Sequence, residues 1–389
     1  MKEYLNILKQ IRDNGFDKPD RTGTGRRSIF GVQMRFDLSQ GELPVVTTRS
    51  IPTDKFIKEL LWFISADTDN KNLNEQDVKI WNKWAVKEKD IEDFYEKHIR
   101  SKAREQFIKQ FEDNKEKVDV NKLTEALTEH KNMFMKNVGD KYIGLIGPMY
   151  GFLWRNAPGT YHNPFNLHRE YEDIPSDKLE FYQEEFLKTQ NPNSLLGADP
   201  EFREFALANY LSSIDQLNEL VVNLKKDPYS SRLIVTALIP QFFSIPGFLP
   251  QENVLIDRGC LYPCHMLFQC FVSPAKEEGG KLRLSLKMTQ RSSDFPIGVP
   301  YNLAQYGLLL HLLAHVTNME PYEFIWESGD THIYLPHKET VDEQLLREPY
   351  PSPKVWLNPE VKDLFKFTVD DIKILDYKCH PKLKYEVFM

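Results

Sequence analysis

Leu261-Tyr262-Pro263-Cys264-His265, followed by the apolar run Leu267 to Val272 and then Gln290-Arg291-Ser292-Ser293-Asp294, is the stretch on which the reading of this chain turns. A cysteine is a nucleophile only as the thiolate, and a nearby positive charge favours that form. The basic Gln-Arg-Ser segment is a source of such charge close in sequence. Pro-Cys-His alone equally suits a small, buried, apolar cysteine. The surrounding chain has to decide between the two.

Working outward, the second half is rich in strands. Arg232 to Leu238 and Leu267 to Val272 are apolar runs. Leu282, Leu284, Leu286 and Met288 alternate with Arg283, Ser285 and Lys287, the period of a half-exposed strand. Asn302 to Val316 is a long apolar helix, and Phe324-Ile325-Trp326 leads into Gly329-Asp330-Thr331-His332-Ile333-Tyr334. The tail from Phe365 to Met389 carries two short strand signals. In the first half, Tyr4, Leu5, Leu8 and Ile11 have helical spacing and stop before Asn14-Gly15. Asp20-Arg21-Thr22-Gly23-Thr24-Gly25 is a Gly-punctuated turn. Ser28 to Phe36 reads as a strand and Phe56 to Ile64 as an apolar helix. Glu59 sits on a buried-looking face of that helix, where a carboxylate needs a partner or a function. Two segments, about 86–141 and 156–225, differ in composition and read as insertions with helices of their own, the second with a helix from Glu201 to Leu224. The pattern is α+β, a mixed sheet packed by helices, without βαβ alternation.

The 389 residues are 41% apolar and 12% aromatic, ample for a large core. A net charge of -7 argues against a general nucleic-acid binder, while a few arginines suffice for an anionic substrate. Four cysteines are too few to staple the chain, which points to a reducing compartment. Cys260, Cys264, His265 and Cys270 lack a convincing second ligand pair for zinc, so no metal is expected. The N-terminus has no apolar signal core and no run reaches membrane-span length, so a cytoplasmic, membrane-free protein is expected.

With those motifs in order, the chain resembles the thymidylate synthase family, which includes the pyrimidine hydroxymethylases of phages. The resemblance rests on Asp20 to Gly25, Glu59-Leu60-Leu61-Trp62-Phe63, Ile80-Trp81-Asn82-Lys83-Trp84 and Gly147-Pro148-Met149-Tyr150-Gly151. It continues through Pro263-Cys264-His265, Gln290 to Asp294, Gly298-Val299-Pro300-Tyr301-Asn302 and Gly329 to Tyr334. It implies one catalytic domain over 1–389 and one-carbon transfer from 5,10-methylenetetrahydrofolate to C5 of dUMP. Cys264 would add to C6 of the ring, splitting one hard substitution into easier steps. Arg291, Arg21, Ser292 and Gln290 would bind the nucleotide, with Arg291 also beside the thiolate. Arg232 would reach the phosphate of the partner subunit in a homodimer. Asn302 offers a donor and an acceptor matching uracil N3–H and O4, where aspartate would suit cytosine. Asn302 also reads as a helix cap. His332 and Tyr334 would hold the deoxyribose hydroxyl. Glu59, Tyr150, His265 and Asp294 would serve proton transfer. Trp81, Leu261, Asp294, Ile297, Gly298, Tyr301 and Arg49 would line the folate site.

The chain departs from the family pattern in four places. Ser231-Arg232 stands for two adjacent arginines, and Thr236-Ala237-Leu238-Ile239-Pro240 stands for the usual Ser-Ala-Trp-Asn-Pro and is followed by an extra loop, Gln241 to Arg258. Arg49-Ser50-Ile51-Pro52 lacks a cation and a histidine, and the chain ends in Val387-Phe388-Met389. An altered folate grip and lid would admit water to the cysteine-bound methylene intermediate. The departures and the size therefore point to a phage dUMP hydroxymethylase making 5-hydroxymethyl-dUMP for DNA modification. The alternatives are a thymidylate synthase and, from another class, an inactive binding module.

Overall fold

The computed structural model describes residues 1–20, 23–115, 117–158 and 213–388. In chain order the first elements are α1 (Lys2–Asn14), β1 (Phe16–Lys18), β2 (Arg26–Asp37), α2 (Thr53–Ile64) and α3 (Asn70–Glu75). Then come α4 (Glu88–Phe94), a π-helical turn (Tyr95–Ile99), α5 (Arg100–Asp113), α6 (Val120–Tyr142), α7 (Tyr150–Arg155) and β3 (Ala157–Pro158). The remainder contains β4 (Ser213–Ile214), α8 (Gln216–Lys226), β5 (Ile234–Thr236), α9 (Pro250–Val254) and β6 (His265–Ser273). It closes with β7 (Arg283–Asp294), α10 (Gly298–Val316), β8 (Glu320–Tyr334), α11 (Lys338–Leu345), β9 (Lys354–Leu357) and β10 (Ile372–Leu375). The chain forms two compact units. Met1–Ala66, Gly151–Ala237 and His265–Met389 make the first, and Asp67–Tyr150 with Leu238–Cys264 the second.

The first unit is built on a six-stranded sheet in the order β1-β2-β8-β7-β6-β5. All neighbours are antiparallel except β7 and β8. A parallel pair needs a crossover, and α10 supplies it. This helix is apolar nearly all round and almost every residue is buried, as such a composition demands. Leu284, Leu286 and Met288 of β7 and Phe324 and Trp326 of β8 are sealed from water. Removing a large apolar side chain from such a position costs about 3–5 kcal/mol. In β2, Gly31 takes φ +77° between the pairs Phe30–Asp330 and Val32–Ser328, with the register unchanged across it. Only glycine takes that conformation without strain. The other sheet face keeps large apolar groups in the open, with Phe30 88% and Phe271 68% exposed.

The second unit holds the first insertion. Tyr95, Phe107, His130 and Phe134 pack α5 and α6 together with the π turn, ring centroids being 5.3 to 5.9 Å apart. Asp119 caps α6 by accepting from the backbone of Asn121 and Lys122.

Most expected elements are present, with four differences. The helix expected from Glu201 is described only as α8, with Leu217, Leu220, Val221 and Leu224 buried; 201–212, like most of the second insertion, lies outside the described residues. The strand expected over Arg232–Leu238 shrinks to β5, which among the described residues is at the sheet edge and has β6 as its only ladder partner. The tail has one strand, β10, paired with β9. Its last residues are instead tied down by side chains: Tyr377 Oη donates to Val46 O at 2.8 Å and Tyr385 Oη to Gln344 Oε1 at 2.6 Å. Asn302 does not cap α10, which begins a turn earlier at Gly298. Among the described residues, no helix is long and apolar enough to cross a membrane.

Candidate functional site

In the second unit, Cys264 is held by its own backbone. Its N–H donates to Tyr150 Oη at 3.1 Å. Tyr150 stands at the start of α7, where the left-handed Gly147 turns the chain. Trp81 is buried edge-on to both Tyr150 and Trp84, at 6.3 and 5.6 Å between centroids. Leu261 is half-buried on the approach to Cys264. All four cysteines are free thiols. Cys260 and Cys270 are buried, and burial pushes their thiols up, Cys270 to about 12. Cys264 is half-exposed, so of these three it is the one open to a reagent. No cluster of His, Cys, Asp or Glu among the described residues has the arrangement of a metal site.

In the first unit, a line of buried amides converges on Asn302. Trp326 Nε1 donates to Gln290 Oε1 at 2.9 Å, and Gln290 Nε2 donates to Asn302 Oδ1 at 3.1 Å. An indole N–H can only donate, so it fixes which end of each amide is which. Nδ2 is thereby left as the donor end of Asn302. Polar residues recur on α10 at helical spacing from there. Gln305 Nε2 donates to Glu59 Oε2 at 2.7 Å, the partner that a buried carboxylate requires. Tyr306 Oη lies 3.3 Å from His265 Nδ1. Burial pulls the His265 imidazole down to about 3, against a hydrogen bond with Asn302 that favours its charged form. It is neutral at pH 7 and acts there as a hydrogen-bonding group. It adds no charge beside the thiol.

The parallel register sets Asp294 beside His332. Burial raises the Asp294 carboxyl to about 6, partly offset by His332, the Ile297 backbone and Arg49. Its Oδ1 and the Arg49 Nε are sealed without a hydrogen-bond partner. Such unmatched groups suit a ligand rich in ring amide and amino groups, as a reduced folate is. Ile297 and Gly298 at the head of α10 and Tyr301 on its first turn follow Asp294 directly, all half-buried. Tyr334 is edge-on to His332 at 5.5 Å, and Phe388 of the tail lies 5.2 Å from Tyr334.

Arg291 follows Gln290 on β7. It lines a concavity of about 560 Å³ with Phe30, Met266, Thr289, Glu327 and Gly329. Ser292 is half-buried next to it, and Arg232 is exposed two residues before β5. Arg21 lies outside the described residues. The sequence reading passed over Trp326, Gln305 and Tyr306. The last two were findable, because with Asn302 they stand at i, i+3 and i+4 on a mainly apolar helix.

A family model described as Thymidylate synthase matches residues 2–134 and 114–389. A thymidylate synthase of Francisella philomiragia is 33% identical over 387 residues, covering 100% of this chain and 99% of that protein. One from Leuconostoc mesenteroides is 36% identical over 397 residues, covering 99% of this chain and 98% of its own. The chain belongs to the thymidylate synthase family. Its class is therefore that of methyltransferases acting on dUMP, with 5,10-methylenetetrahydrofolate as co-substrate. The expected phage hydroxymethylase character gains no support. Matches that run end to end in both proteins also mean that size does not set this chain apart from thymidylate synthases.

Proposed function

We propose that the chain is a thymidylate synthase, converting dUMP to dTMP with formation of dihydrofolate. The observation that carries this reading is likeness over the whole length to two proteins of that name. When bound, the reduced folate supplies both the one-carbon unit and the hydride. The Cys264 sulfur adds to C6 of the uracil, and the electron pair released to C5 forms the new carbon–carbon bond. The C5 proton then leaves as the bond from the transferred carbon to the folate nitrogen breaks, and the sulfur departs from C6 as that carbon takes up the hydride. Tyr150, Glu59 and His265 act in moving protons, His265 as a neutral hydrogen-bonding group. Asn302, fixed by Gln290, reads the base. Arg291, Ser292 and Arg21 bind the phosphate, and His332 and Tyr334 the sugar hydroxyl. Trp81, Leu261, Asp294, Ile297, Gly298, Tyr301 and Arg49 hold the folate.

The working form is a homodimer in which Arg232 completes the partner's phosphate site. Supporting this are the open sheet face bearing Phe30 and Phe271, and the exposure of Arg232. The second reading, a hydroxymethylase, keeps one specific argument: the altered folate segment Arg49-Ser50-Ile51-Pro52 and the bulky tail residue Phe388. One assay separates the two. dUMP and methylenetetrahydrofolate are supplied, absorbance is followed at 340 nm, and the nucleotide is weighed by mass spectrometry. dTMP with dihydrofolate is expected, and Cys264→Ala abolishes it. 5-Hydroxymethyl-dUMP without dihydrofolate overturns the synthase reading.

A further inference from the structure

Lys97 Nζ lies 2.8 Å and His98 Nε2 3.1 Å from one atom, Glu252 Oε1. Adjacent residues on an α-helix point in different directions and do not converge on one atom. These two do converge, and both sit in the π-helical turn Tyr95–Ile99 between α4 and α5. Such turns re-aim side chains and are found largely at functional positions. Glu252 Oε2 is used as well, accepting from the Leu249 N–H at 2.7 Å to close the start of α9. The His98 ring is flanked by Phe94 at 4.8 Å and Phe248 at 5.3 Å. The Glu252 side chain is 7% exposed. Burial opposes its charge, but Lys97, the Leu249 N–H and His98 together hold it below the usual carboxylate value. The Glu252 end of this clamp lies in the extra loop, Gln241 to Arg258, and the Lys97–His98 end in the first insertion.

That loop runs directly into Cys264, and it has little slack. Arg258 N donates to Asn253 O at 2.9 Å and Gly259 N to Phe242 O at 3.0 Å. Cys260 N donates to Ile146 O at 3.1 Å. Tyr142, at the end of α6, donates to Asp257 Oδ1 at 2.8 Å. The Tyr262 ring lies 4.0 Å from that of Phe243, and Cys264 N ends the series on Tyr150 Oη. These contacts tether the chain between α9 and the backbone of Cys264.

Resting on the activity proposed above, we propose that Glu252, clamped by Lys97 and His98, is a positioning residue through which the helical insertion holds Cys264 at its point of attack. The clamp includes none of the residues assigned above to nucleotide or folate. Its loss affects the attack step and leaves nucleotide binding intact. The variants are Glu252→Gln, Lys97→Met and the conservative Lys97→Arg. Lys97 is 54% exposed, so its variants fold even where Glu252→Gln does not. Two readouts are taken on the full-length protein. One is tritium release from [5-³H]dUMP, giving kcat and KM. The other is the rate of Cys264 alkylation by iodoacetamide, read at that peptide by mass spectrometry. Lys97→Met lowers kcat about tenfold with the KM for dUMP nearly unchanged, changes the alkylation rate several-fold, and is rescued by Lys97→Arg. An unchanged kcat and alkylation rate in Lys97→Met overturns the proposal, as does a parallel loss of kcat and thermal stability without rescue. If the wild-type protein releases no tritium, the synthase reading fails. The alkylation rates still judge the clamp.

Discussion

Replacing Asn302 by aspartate tests the base-reading geometry most directly. The indole of Trp326 fixes Gln290, and Gln290 in turn fixes Asn302 with its oxygen inward, at 2.9 and 3.1 Å. Asn302→Asp keeps the acceptor that Gln290 needs and removes the donor opposite uracil O4. Two acceptors then face each other in a buried site, which costs about 1–3 kcal/mol. That corresponds to a fall of about 5- to 160-fold in kcat/KM for dUMP. Cytosine presents an amino group at the same place, so dCMP gains what dUMP loses. The buried carboxylate also has a stability cost. Asp294, in a similar setting, is raised from 3.8 to about 6. At about 1.4 kcal/mol per pKa unit, the same shift at 302 costs about 3 kcal/mol at neutral pH. Denaturant unfolding measures that cost separately, so that kinetics are compared only on folded protein. The assay is kcat/KM for dUMP and dCMP side by side. A folded Asn302→Asp protein whose preference for dUMP is unchanged would refute the base-reading role.

Two further outcomes follow from burial and backbone geometry. Asp294→Asn stabilises the protein by about 3 kcal/mol at pH 7–8, from the same conversion. The sign follows from the raised carboxyl: the folded state resists ionisation, so the wild type loses stability as pH rises from about 4 through 6. The advantage of Asp294→Asn accordingly vanishes below about pH 4, as urea unfolding at pH 4 and 7.5 will register, and an equal gain at both would sink the argument. Gly147→Ala forces a side chain into φ +71° and its Cβ into the Arg258 carbonyl oxygen. It lowers stability by about 1–3 kcal/mol, seen as a fall in Tm, and a neutral substitution would show that the turn relaxes freely.

The sequence by itself determined the elements and the inventory of chemistry. The two-residue alternation around Leu284 to Met288 and the all-round apolarity of 302–316 are local properties, and both gave the right element. The ordered motifs identified the family and placed Cys264 in it. Tertiary structure decided what local pattern could not carry. Which way Asn302 presents its amide depends on an indole on another strand, Trp326. Whether His265 carries charge depends on burial under α10, which holds it near 3 and neutral. Glu59 needed a partner, and only packing could say that it is Gln305. The insertion's link to the cysteine loop is a contact between residues 97 and 252, the first of them in a π turn, and no period in the sequence marks it. Periodicity records a residue's own face. Hydrogen-bond direction and proton affinity are set by neighbours that the chain brings in from far away, and these appear only once it is folded.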